Sequence, residues 1–588
     1  MVPAVLAVSV DVVRLFIGQR RLGVDLIALV AILGSLALGE YLAGAVVALM
    51  YAGGQSLEAM AARRARREMT TLIRRAPKTA NRRSGDGIRT VPVAEVAVGD
   101  VLVVRTGEVV PTDGRVVGAA ATVDQSTLTG ESLPVAVVDG GRVMGGTINA
   151  GSPFDFVAER PANSSAYSAL IRLIRQVEQD RAPLVRLADR YAVFFLPLTL
   201  VVAGLAWLLS GDAVRGLAVV VVATPCPLIL AAPIALVAGV SRAASRGIIV
   251  KSGTAVELLG RAAVVLFDKT GTLTSGTPAI REIHTVADIA DERLLQLAAA
   301  VDQLSPHVLA EALVAAARER RLPLAAPTGV REDPGSGIVG TVDGQRVAVG
   351  GRRWMAGIGF DVSALVPSGA IREEDAGLAR IHVGIDGFGA GTIVMADFLR
   401  PDAADAVRRL RELGVGEIAM VTGDRRSIAE RLGAELDLDR IHAELSPADK
   451  VAIVNHAVAG RGGRNRSGGG PAWGGGGTVV MVGDGVNDAP ALAAADVGIA
   501  IGVAGATVSA ETADVVITVG RIDRTADAVA IGRRSLGIAR QSIIVGMALS
   551  MVAMGFAAAG MLPPVAGALL QEVIDLAVLL NALRALRG

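Results

Sequence analysis

The stretch from Ala263 to Thr274, AVVLFDKTGTLT, limits what this chain can fold into more than any other. An apolar run rich in β-branched residues leads to Asp268, and a turn of small hydroxyl residues and glycine follows. A buried parallel strand ends in this way where its carboxyl edge carries chemistry. An aspartate there can attack a phosphoryl group and form an aspartyl-phosphate, which divides one difficult hydrolysis into two easier steps. A strand followed by an ordinary Asp-Lys turn is the alternative, and the specific order of the seven residues from Asp268 argues against it.

Composition indicates a large membrane protein. The 588 residues are too many for one hydrophobic core, so several domains are expected. Hydrophobic residues make up 52% and charged residues 20% of the chain, and the mean hydropathy of +0.51 favours membrane spans. The formal net charge of +1 gives no indication of a nucleic-acid partner. One cysteine excludes a disulfide framework and any CxxC metal module.

Three pairs of apolar segments predict six membrane spans. They cover residues of about 22–38 and 41–56, 191–210 and 214–240, and 542–559 and 563–583. Residues 2–17 are apolar but short for a span, and no basic segment precedes them as in a signal peptide. Arginines that flank the first pair and follow the last place those ends in the cytoplasm. We therefore expect a multi-pass protein of the cell membrane with its soluble parts in the cytoplasm.

Between the spans, the sequence changes character twice. Short β-branched segments separated by glycine turns predict a small β-domain at about 90–160. Alternating strand and helix patterns at about 250–530 predict a doubly wound parallel sheet, interrupted by an inserted domain at 279–395. Residues 460–477 are Gly-rich and predict a disordered surface loop, because a phosphate cradle would need a following Lys-Ser/Thr on a helix.

Two further strand ends carry polar residues suited to phosphate chemistry. One apolar run leads to Thr422 and Asp424, and another leads to Asp484 and Asp488. Residues at the carboxyl ends of neighbouring parallel strands meet in one crevice. Carboxylates that meet there can hold Mg²⁺, which takes oxygen ligands and bridges to phosphate. Lys450 is placed in the sequence to neutralise a transferring phosphoryl group.

These motifs, in this order, resemble the P-type ATPases. DKTGTLT is the phosphorylation signature of that family, and Thr129-Gly130-Glu131-Ser132 matches its TGES loop. The resemblance implies an actuator domain with flanking helices (61–185), a haloacid-dehalogenase-like phosphorylation domain (246–278 and 396–530) and a nucleotide-binding α+β domain (279–395). The membrane parts are then a partial helix with the first hairpin (1–60), the second pair (186–245) and the last pair (531–588).

The resemblance also implies roles for particular residues, with ATP and Mg²⁺ as cofactors. Asp268 is the expected nucleophile within its Lys269-Thr270 context, and Asp484, Asp268 and the Thr270 carbonyl are the expected Mg²⁺ ligands. Asn487 and Asp488 support that site, and Thr422, Asp424 and Lys450 contact phosphate or nucleotide. Glu131, held by Thr129 and Gly130, is expected to orient the water that hydrolyses the phosphoenzyme.

The inserted domain carries a weaker nucleotide signature. Gly335-Ser336-Gly337 would let the backbone approach a nucleotide closely and is similar to the GxG of the heavy-metal (type IB) branch. His307 stands in register with that branch's Ser-Glu-His-Pro segment, although the flanking Glu and Pro are replaced. Gly350-Gly351 stands where the branch has Gly-Asn, and Asp302 completes the candidate set. His307 as a purely structural residue is the alternative.

The fourth core membrane helix carries residues that indicate which kind of ion is transported. It contains Thr224-Pro225-Cys226-Pro227, in which two prolines remove two backbone donors and break the helix. Irregular backbone at membrane depth is tolerated where it lines a cavity or is packed by protein, so Cys226 and Thr224 are candidate cation ligands. A lone buried cysteine is more often an inert small hydrophobe. The Cys-Pro pair resembles the heavy-metal pumps, and the TPC form resembles a subgroup that includes iron and nickel exporters.

The last helix supplies further candidate ligands. Gln571, Glu572 and Asp575 share one broad face, and carboxylates within a membrane are functional by default. End-of-helix carboxylates that reach interfacial water are the alternative. One thiolate with oxygen and amide donors suits Fe²⁺, Co²⁺, Ni²⁺, Mn²⁺ or Zn²⁺ better than Cu⁺. Copper would gain ligands if Met547, Met551 and Met554 faced the site, but methionines at this spacing more often serve packing.

Together these features predict an ATP-driven exporter of a divalent transition metal, with the lipid bilayer and the cation as partners. A copper pump of the same family is the second interpretation. A shortened member that acts as a regulatory membrane subunit is the third, because the chain begins within what resembles the second helix of type IB pumps. We expect the preceding helix and a metal-binding domain to be missing. A soluble phosphatase of the same core would need neither six spans nor a TGES domain.

Overall fold

The computed structural model of the chain describes most of the sequence. Its described residues are 25–49, 77–84, 87–118, 120–124, 134–161, 165, 186–223, 226–276, 278–286, 289–333, 335–365, 378–460, 477–484, 488–502 and 512–586. They divide into two compact units, the first formed by residues 1–263, 475–480 and 495–588, and the second by residues 264–474 and 481–494.

The helices fall into long apolar ones and shorter amphipathic ones. In chain order they are α1 (Asp25–Ala37), α2 (Arg186–Ser210), α3 (Ala213–Val222), α4 (Cys226–Ala244), α5 (Gly253–Leu259), α6 (Asp291–Asp302), α7 (Val308–Glu319), α8 (Arg352–Gly357), α9 (Ala403–Glu412), α10 (Arg426–Glu435), α11 (Pro447–Gly460), α12 (Ala489–Ala494), α13 (Arg524–Ala558) and α14 (Pro564–Ala582).

The strands form four sheets. In chain order they are β1 (Thr79–Ser84), β2 (Gly87–Pro92), β3 (Val101–Val104), β4 (Gly114–Val117), β5 (Ala121–Asp124), β6 (Val135–Val137), β7 (Arg142–Val143), β8 (Ile148–Asn149), β9 (Phe154–Ala158), β10 (Ile248–Val250), β11 (Ala262–Asp268), β12 (Ala279–Thr285), β13 (Thr328–Asp333), β14 (Gly337–Val342), β15 (Gln345–Gly350), β16 (Ala379–Ile385), β17 (Phe388–Ala396), β18 (Glu417–Val421), β19 (Arg440–His442), β20 (Thr478–Gly483), β21 (Val497–Ile501) and β22 (Val515–Ile517).

The first unit contains the β-domain. Six strands pair in the order β2-β1-β3-β9-β4-β7, and three more in the order β6-β5-β8. β9 alternates buried and half-buried residues, as expected for a sheet with one face on a core. Leu102, Val116 and Phe156 lie in that core. The alternation explains why short β-branched segments fold here as strands and not as helices.

The first unit also contains the apolar helices. In the described part of the chain, the helices Arg524–Ala558 and Pro564–Leu586 are long and apolar enough to cross a membrane, and shorter apolar helices cover Ile27–Ala37, Phe195–Ser210, Ala213–Val222 and Pro233–Ala244. Each of these helices overlaps a predicted span, but the helix that starts at Arg524 begins well before the predicted start at about 542. The predicted spans at 22–38 and 41–56 are only partly described.

The predicted break in the fourth core helix is present. α3 ends at Val222 with Ala223 as its C-terminal cap, and α4 begins at Cys226. Thr224 and Pro225 lie outside the described residues, as do the side chains of residues 224–232. The two helix ends therefore lie on either side of Thr224 and Pro225, and Pro227 falls in the first turn of α4, where a missing backbone donor is tolerated.

A seven-stranded sheet forms the doubly wound core, with the strand order β10-β22-β21-β20-β11-β18-β19. β11 runs parallel to β18, and β18 runs parallel to β19. β11, β18 and β20 are almost wholly buried, which matches their continuous apolar sequences. The carboxyl ends of these strands carry the polar residues that follow them in the sequence.

Between β11 and β18, the chain forms an inserted domain with an antiparallel sheet. Its six strands have the order β12-β17-β16-β15-β14-β13. α6 and α7 contribute Leu294, Leu297 and Leu313 to a core shared with Val347 and Ile393 of the sheet. This antiparallel sheet with two helices is the α+β domain expected between the first two strand ends.

Candidate active site

β11 delivers Asp268 to the carboxyl edge of the parallel sheet. The side chain is only 4% exposed, and the backbone turns sharply just after it. Gly271 has a positive φ of 72°, a conformation that favours glycine. A Cβ at Gly271 would stand 1.6 Å from a carboxylate oxygen of Asp484. The glycine in the motif is therefore required twice, by its backbone angle and by the close approach of Asp484.

Neighbouring strands bring two more carboxylates to Asp268. Asp484 follows β20 directly, and Asp488 precedes α12. One ligand atom from each of the three carboxylates can be chosen so that all lie within 4.8 Å of one another. Burial and the nearby carboxylate of Asp488 raise the pKa of Asp268 to about 6 and that of Asp484 to about 6. The cluster thus brings several negative charges together at a buried position, where little water is present to solvate them.

Lys450 provides the matching positive charge. Its Nζ donates to Asp268 Oδ1 at 2.5 Å and to Asp488 Oδ1 at 2.9 Å. Burial by itself lowers the pKa of Lys450, but the two carboxylates outweigh it and raise the pKa overall. Lys450 therefore stays charged and holds the candidate nucleophile in one orientation. The second lysine, Lys269, pairs with the carboxylate of Asp424.

The residues present fit a magnesium ion. All three side chains of the acidic cluster offer carboxylate oxygens, the ligand type that Mg²⁺ prefers. A divalent cation would offset the repulsion that raises the pKa of Asp268 and Asp484. Thr270 is exposed in the loop after Asp268, and the role of its carbonyl as a ligand stays a prediction. Thr422 lies buried at the end of β18, and its Oγ1 accepts a hydrogen bond from the Asp424 amide.

Sequence reasoning missed two side chains that shape the phosphorylation loop. Arg400 donates from Nη2 to the Gly271 carbonyl at 2.6 Å and from Nε to the Thr274 carbonyl at 3.1 Å. Asp397 accepts from Thr274 Oγ1 at 2.6 Å and from the Gly276 amide at 3.0 Å. Both follow β17, where the chain returns from the inserted domain. A polar pair directly after an apolar strand is the only sequence signal that could have found them.

In the inserted domain, the predicted nucleotide residues lie around the β13–β14 hairpin, whose turn contains Gly335. Gly335 has a positive φ of 75°, and Gly337 at the start of β14 pairs with Gly350 at the end of β15. His307 caps α7 by accepting a hydrogen bond at Nδ1 from the Leu309 amide. In the same segment, Ser305 donates to Glu332 of β13 at 2.7 Å. The segment that contains His307 is thereby tied close to Gly335.

Asp302 lies beside the same hairpin as a buried acid. It is the last residue of α6 and only 4% exposed. Burial and the neighbouring carboxylate of Glu332 raise the pKa of Asp302 to about 7. A proton therefore remains on this carboxyl at neutral pH in a substantial fraction of molecules. A protonated carboxyl can donate one hydrogen bond and accept another.

The last two membrane helices share a buried polar relay. Ser550 of α13 donates to Gln571 Oε1 of α14 at 3.1 Å, and Gln571 Nε2 donates to Asp575 Oδ1 at 2.8 Å. All three side chains are buried, and Gln571 is 0% exposed. Glu572 is half-buried, one position away. The sequence predicted Gln571 and Asp575 but missed Ser550, because the rotation of one helix against the other decides which serine faces Gln571.

Comparison with known proteins agrees with this geometry. Residues 262–496 match the family model for haloacid dehalogenase-like hydrolases, and residues 74–175 match the model for the P-type ATPase actuator domain. The "Manganese-exporting P-type ATPase" of Mycobacterium bovis is 33% identical over 96% of this chain and 78% of its own length. This chain belongs to the P-type ATPase family.

Further relatives place this P-type ATPase in the heavy-metal (PIB) branch. The "Copper-transporting ATPase 1" of Rhizobium meliloti is 35% identical over 92% of this chain, which spans 66% of that relative's length. The crystal structure of a zinc-transporting PIB-type ATPase in the E2.Pi state superposes with a TM-score of 0.66 and 31% identity, covering 99% of this chain and 94% of that one. The predicted architecture of actuator, phosphorylation and nucleotide domains with membrane helices is confirmed.

Several predicted residues of this P-type ATPase fall outside the described part. Thr129, Gly130 and Glu131 of the TGES loop, as well as Asn487, lie there. Cys226 lies in the helical backbone of α4, but its side chain belongs to the undescribed group, and Thr224 is not described at all. The roles of these residues remain predictions. For the phosphorylation domain, the haloacid dehalogenase-like match and the acidic cluster imply the use of Mg²⁺ and ATP.

Proposed function

We propose that this P-type ATPase exports a divalent transition-metal cation, driven by ATP through a phosphorylated Asp268. The observation that carries the proposal is the meeting of Asp268, Asp484, Asp488 and Lys450 at one edge of a parallel sheet. A charged nucleophile, a divalent-cation site and a neutralising lysine are the parts that phosphoryl transfer needs. In the same chain, buried polar side chains lie within apolar helices.

Phosphorylation follows from the geometry around Asp268. Lys450 holds Oδ1, so Oδ2 is the oxygen proposed to attack the γ-phosphorus of ATP. The bond between that phosphorus and the β–γ bridging oxygen breaks, and ADP leaves with the electron pair. Asp268, Asp484 and Asp488 would hold Mg²⁺, which would supply positive charge to offset the negative charge of the phosphate. Lys450 compensates charge on the transferring group, and the charge of Lys269 is oriented by Asp424.

The TGES loop is proposed to carry out the second half-reaction. Glu131, positioned by Thr129 and Gly130, takes a proton from water, and the hydroxide attacks the phosphorus of the aspartyl-phosphate. The bond from Asp268 to phosphorus breaks, which returns the carboxylate and releases inorganic phosphate. Thr422 and Asn487 are proposed as further contacts of the phosphoryl group. General-base assistance of this kind contributes about 10²–10⁴ in rate.

The hairpin of the inserted domain is the proposed nucleotide site. Gly335 leaves open space beside the backbone, because nothing stands within 4 Å of its Cβ position. Gly337 and Gly350 lie next to it, paired across β14 and β15, and are proposed to form the site with it. His307 and Asp302 are proposed to contact the base, since both flank the hairpin through the Ser305–Glu332 contact. The Nδ1 atom of His307 is engaged by the helix cap, so its Nε2 is the nitrogen proposed to face the base.

The relay of Ser550, Gln571 and Asp575 favours a divalent cation over Cu⁺. Together with Glu572, Thr224 and the thiol of Cys226, it offers mainly oxygen ligands, which suit Fe²⁺, Co²⁺, Ni²⁺, Mn²⁺ or Zn²⁺. The manganese name of one relative and the zinc title of the structural match are consistent with this class. The resemblance of Thr224-Pro225-Cys226 to the TPC subgroup supports the same choice.

Copper is the second candidate cargo, because several relatives carry copper names. The methionines of α13 argue against it. Met551 is 43% exposed on the surface of the unit, and Met554 packs in an apolar core with Ala553 and Ala557. A site for Cu⁺ would need more sulfur than Cys226 alone supplies. A regulatory subunit without activity is disfavoured, since Asp268, Asp484 and Lys450 are all in place.

The proposed location is the cell membrane, with the soluble domains in the cytoplasm. The positive-inside rule supports this orientation, and membrane helices are present in the family and in this chain. The partners are then the lipid bilayer and the transported cation.

The test is the ATPase activity of purified protein in detergent, with Fe²⁺, Co²⁺, Ni²⁺, Mn²⁺, Zn²⁺, Cu⁺ and Ca²⁺ each supplied in turn. We expect stimulation by one divalent transition metal, lost in Asp268→Asn and in Cys226→Ala. Met551→Leu is the matched membrane control and should keep the stimulation. Stimulation by Cu⁺ alone would contradict the cargo, and stimulation by Ca²⁺ alone would contradict the role of Cys226.

A further inference from the structure

Trp354 lies against the glycines of the proposed nucleotide hairpin. A Cβ built on Gly337 would stand 2.5 Å from the Cε3 and Cζ3 atoms of the indole, and a Cβ on Gly350 would stand 3.0 Å from Cε3. These two glycines are opposite one another in the β14–β15 pair. The ring therefore occupies the space that a side chain at Gly337 would need. At Gly350 the Ser336 carbonyl oxygen, 2.5 Å from the Cβ position, stands closer than the ring. Small residues at these two positions therefore make room for the indole in addition to any ligand.

The indole is also tied to the other side of the hairpin. Trp354 Nε1 donates to Asp333 Oδ2 at 2.7 Å, and Asp333 is the last residue of β13, two positions before Gly335. The Asp333 carbonyl accepts from the Ser336 amide, and the Ser336 carbonyl accepts from the Gly351 amide, each at 2.9 Å. One side chain on α8 thus contacts both ends of the turn that contains Gly335.

An apolar cluster beside α8 anchors the indole in the domain. Trp354 packs on a small apolar cluster with Ala348, Met355, Phe360 and Leu365, in which Met355 and Leu365 are fully buried. The position of the ring is therefore set by the core and not by solvent. A tryptophan side chain has only two rotatable bonds, so it offers a large, rigid contact surface at little cost in conformational entropy.

We propose that Trp354 is a positioning residue for ATP: it holds the Gly335–Gly337 turn in the shape that accepts the nucleotide. This inference rests on the proposed function of the hairpin as the nucleotide site. Loss of the ring leaves the glycines free to sample other backbone angles, and glycine has many. ATP must then order the turn on binding, which weakens affinity and leaves the chemistry at Asp268 unchanged.

The first experiment separates KM from kcat in the full chain. Trp354→Ala should raise the KM for ATP about tenfold or more and leave kcat within about twofold, the pattern of lost ground-state binding. Trp354→Phe keeps a ring against the glycines and should keep the KM within about threefold. Trp207→Phe, which changes an indole 55% exposed on α2, is the control. Phosphorylation of Asp268 by inorganic phosphate needs no nucleotide, and its retention in Trp354→Ala shows that the phosphorylation domain is folded. A kcat that is kept at saturating ATP shows that the inserted domain is folded as well.

The second experiment measures binding without turnover. With Trp207 and Trp473 replaced by phenylalanine, Trp354 is the sole indole, and ATP should change its fluorescence with saturation. An unchanged KM in Trp354→Ala, or a fluorescence that does not respond to saturating ATP in an active protein, would overturn the positioning role. Normal ATP binding with no metal-stimulated turnover would instead contradict the proposed transport function alone. No saturable ATP binding by the wild-type protein would overturn both.

Discussion

At the scale of single residues, Lys450 offsets the electrostatic repulsion among the carboxylates of the acidic cluster. Three carboxylates lie close together in a buried position, and two of them have raised pKa values for that reason. Lys450 bonds to Asp268 and Asp488 at once. A buried charge pair of this kind is costly to break, because each remaining partner is left uncompensated.

Replacement of Lys450 by glutamine should therefore be severe. We expect formation of phosphoenzyme from ATP to slow by about 10²–10³, the usual effect of removing one preorganised stabilising group. Rapid-quench measurements of radiolabelled phosphoenzyme check this. Lys78→Gln, which changes an exposed lysine of the β-domain, should behave as wild type. A Lys450→Gln rate within roughly threefold of wild type would contradict the assignment.

Asp302 should make the stability of the inserted domain depend on pH. Its folded-state pKa of about 7 lies above the ordinary value of 3.8, so between these pH values the folded state holds a proton that the unfolded state has lost. The free energy of unfolding therefore falls as pH rises from about 4 to 7 and levels off above, by up to about 4 kcal/mol in total.

Asp302→Asn removes this dependence. In hydrogen–deuterium exchange of the full chain, corrected for intrinsic rates, the amides of α6 should be better protected than in wild type at pH 8 and equally protected near pH 4. Asp291→Asn, at the exposed start of the same helix, is the control. Equal protection of wild type and Asp302→Asn across the range would show that Asp302 ionises normally.

At the scale of elements, the parallel strands were predictable because each carries its own signal. β11, β18 and β20 are continuous apolar runs that end in polar turns, and parallel strands place such ends at one edge. The edge residues Asp268 and Asp484 could thus be grouped on their sequence context alone. Lys450 lies on α11 and carries no such strand signal. The break between α3 and α4 was predictable for a similar reason, since proline acts locally.

Contacts between distant elements were not predictable. Arg400 and Gly271 are 129 residues apart, and no periodicity links them. Ser550 is one of several small polar residues on α13, and its contact with Gln571 depends on how α13 and α14 are rotated. The indole of Trp354 has the sequence context of a core residue, and only the backbone path of the hairpin puts two glycines against it.

Arg400 should control the conformation of the phosphorylation loop. Arg400→Gln removes the guanidinium group that donates to two loop carbonyls. We expect the rates of phosphorylation from ATP and from inorganic phosphate to fall together, by about tenfold to a hundredfold. Arg400→Lys keeps the charge without the guanidinium group and should not restore activity. Arg408→Gln, on the exposed face of α9, is the control. A loss seen with ATP alone would place Arg400 in nucleotide binding instead.

Ser550 should orient Gln571 within the membrane relay. Ser550→Ala leaves the buried Gln571 oxygen without its donor, which costs about 1–3 kcal/mol, and the metal concentration for half-maximal ATPase should rise about tenfold. Met551→Leu on the same helix should leave it unchanged. The rise should appear in metal dependence and not in phosphorylation by inorganic phosphate. Equal metal dependence in Ser550→Ala and wild type would remove Ser550 from the cation site.

At the scale of the whole molecule, phosphoryl transfer and cation binding depend on residues in different parts of the chain. The acidic cluster and Lys450 belong to the second unit, and the relay of Ser550, Gln571 and Asp575 belongs to the first. A pump needs the cation to bind its two conformational states with different affinity, and phosphorylation of Asp268 is the proposed switch between them. Metal at the membrane site must then determine whether Asp268 accepts phosphate.

The most direct test of this coupling is the labelling of purified protein with ATP that is radioactive at the γ-phosphate. We predict an acid-stable, hydroxylamine-sensitive label that forms only when Mg²⁺ and one divalent transition metal are both present. It should be absent in Asp268→Asn, and in Gln571→Leu it should need far more metal. A label that persists in Asp268→Asn, or that forms equally without any transition metal, would contradict the account.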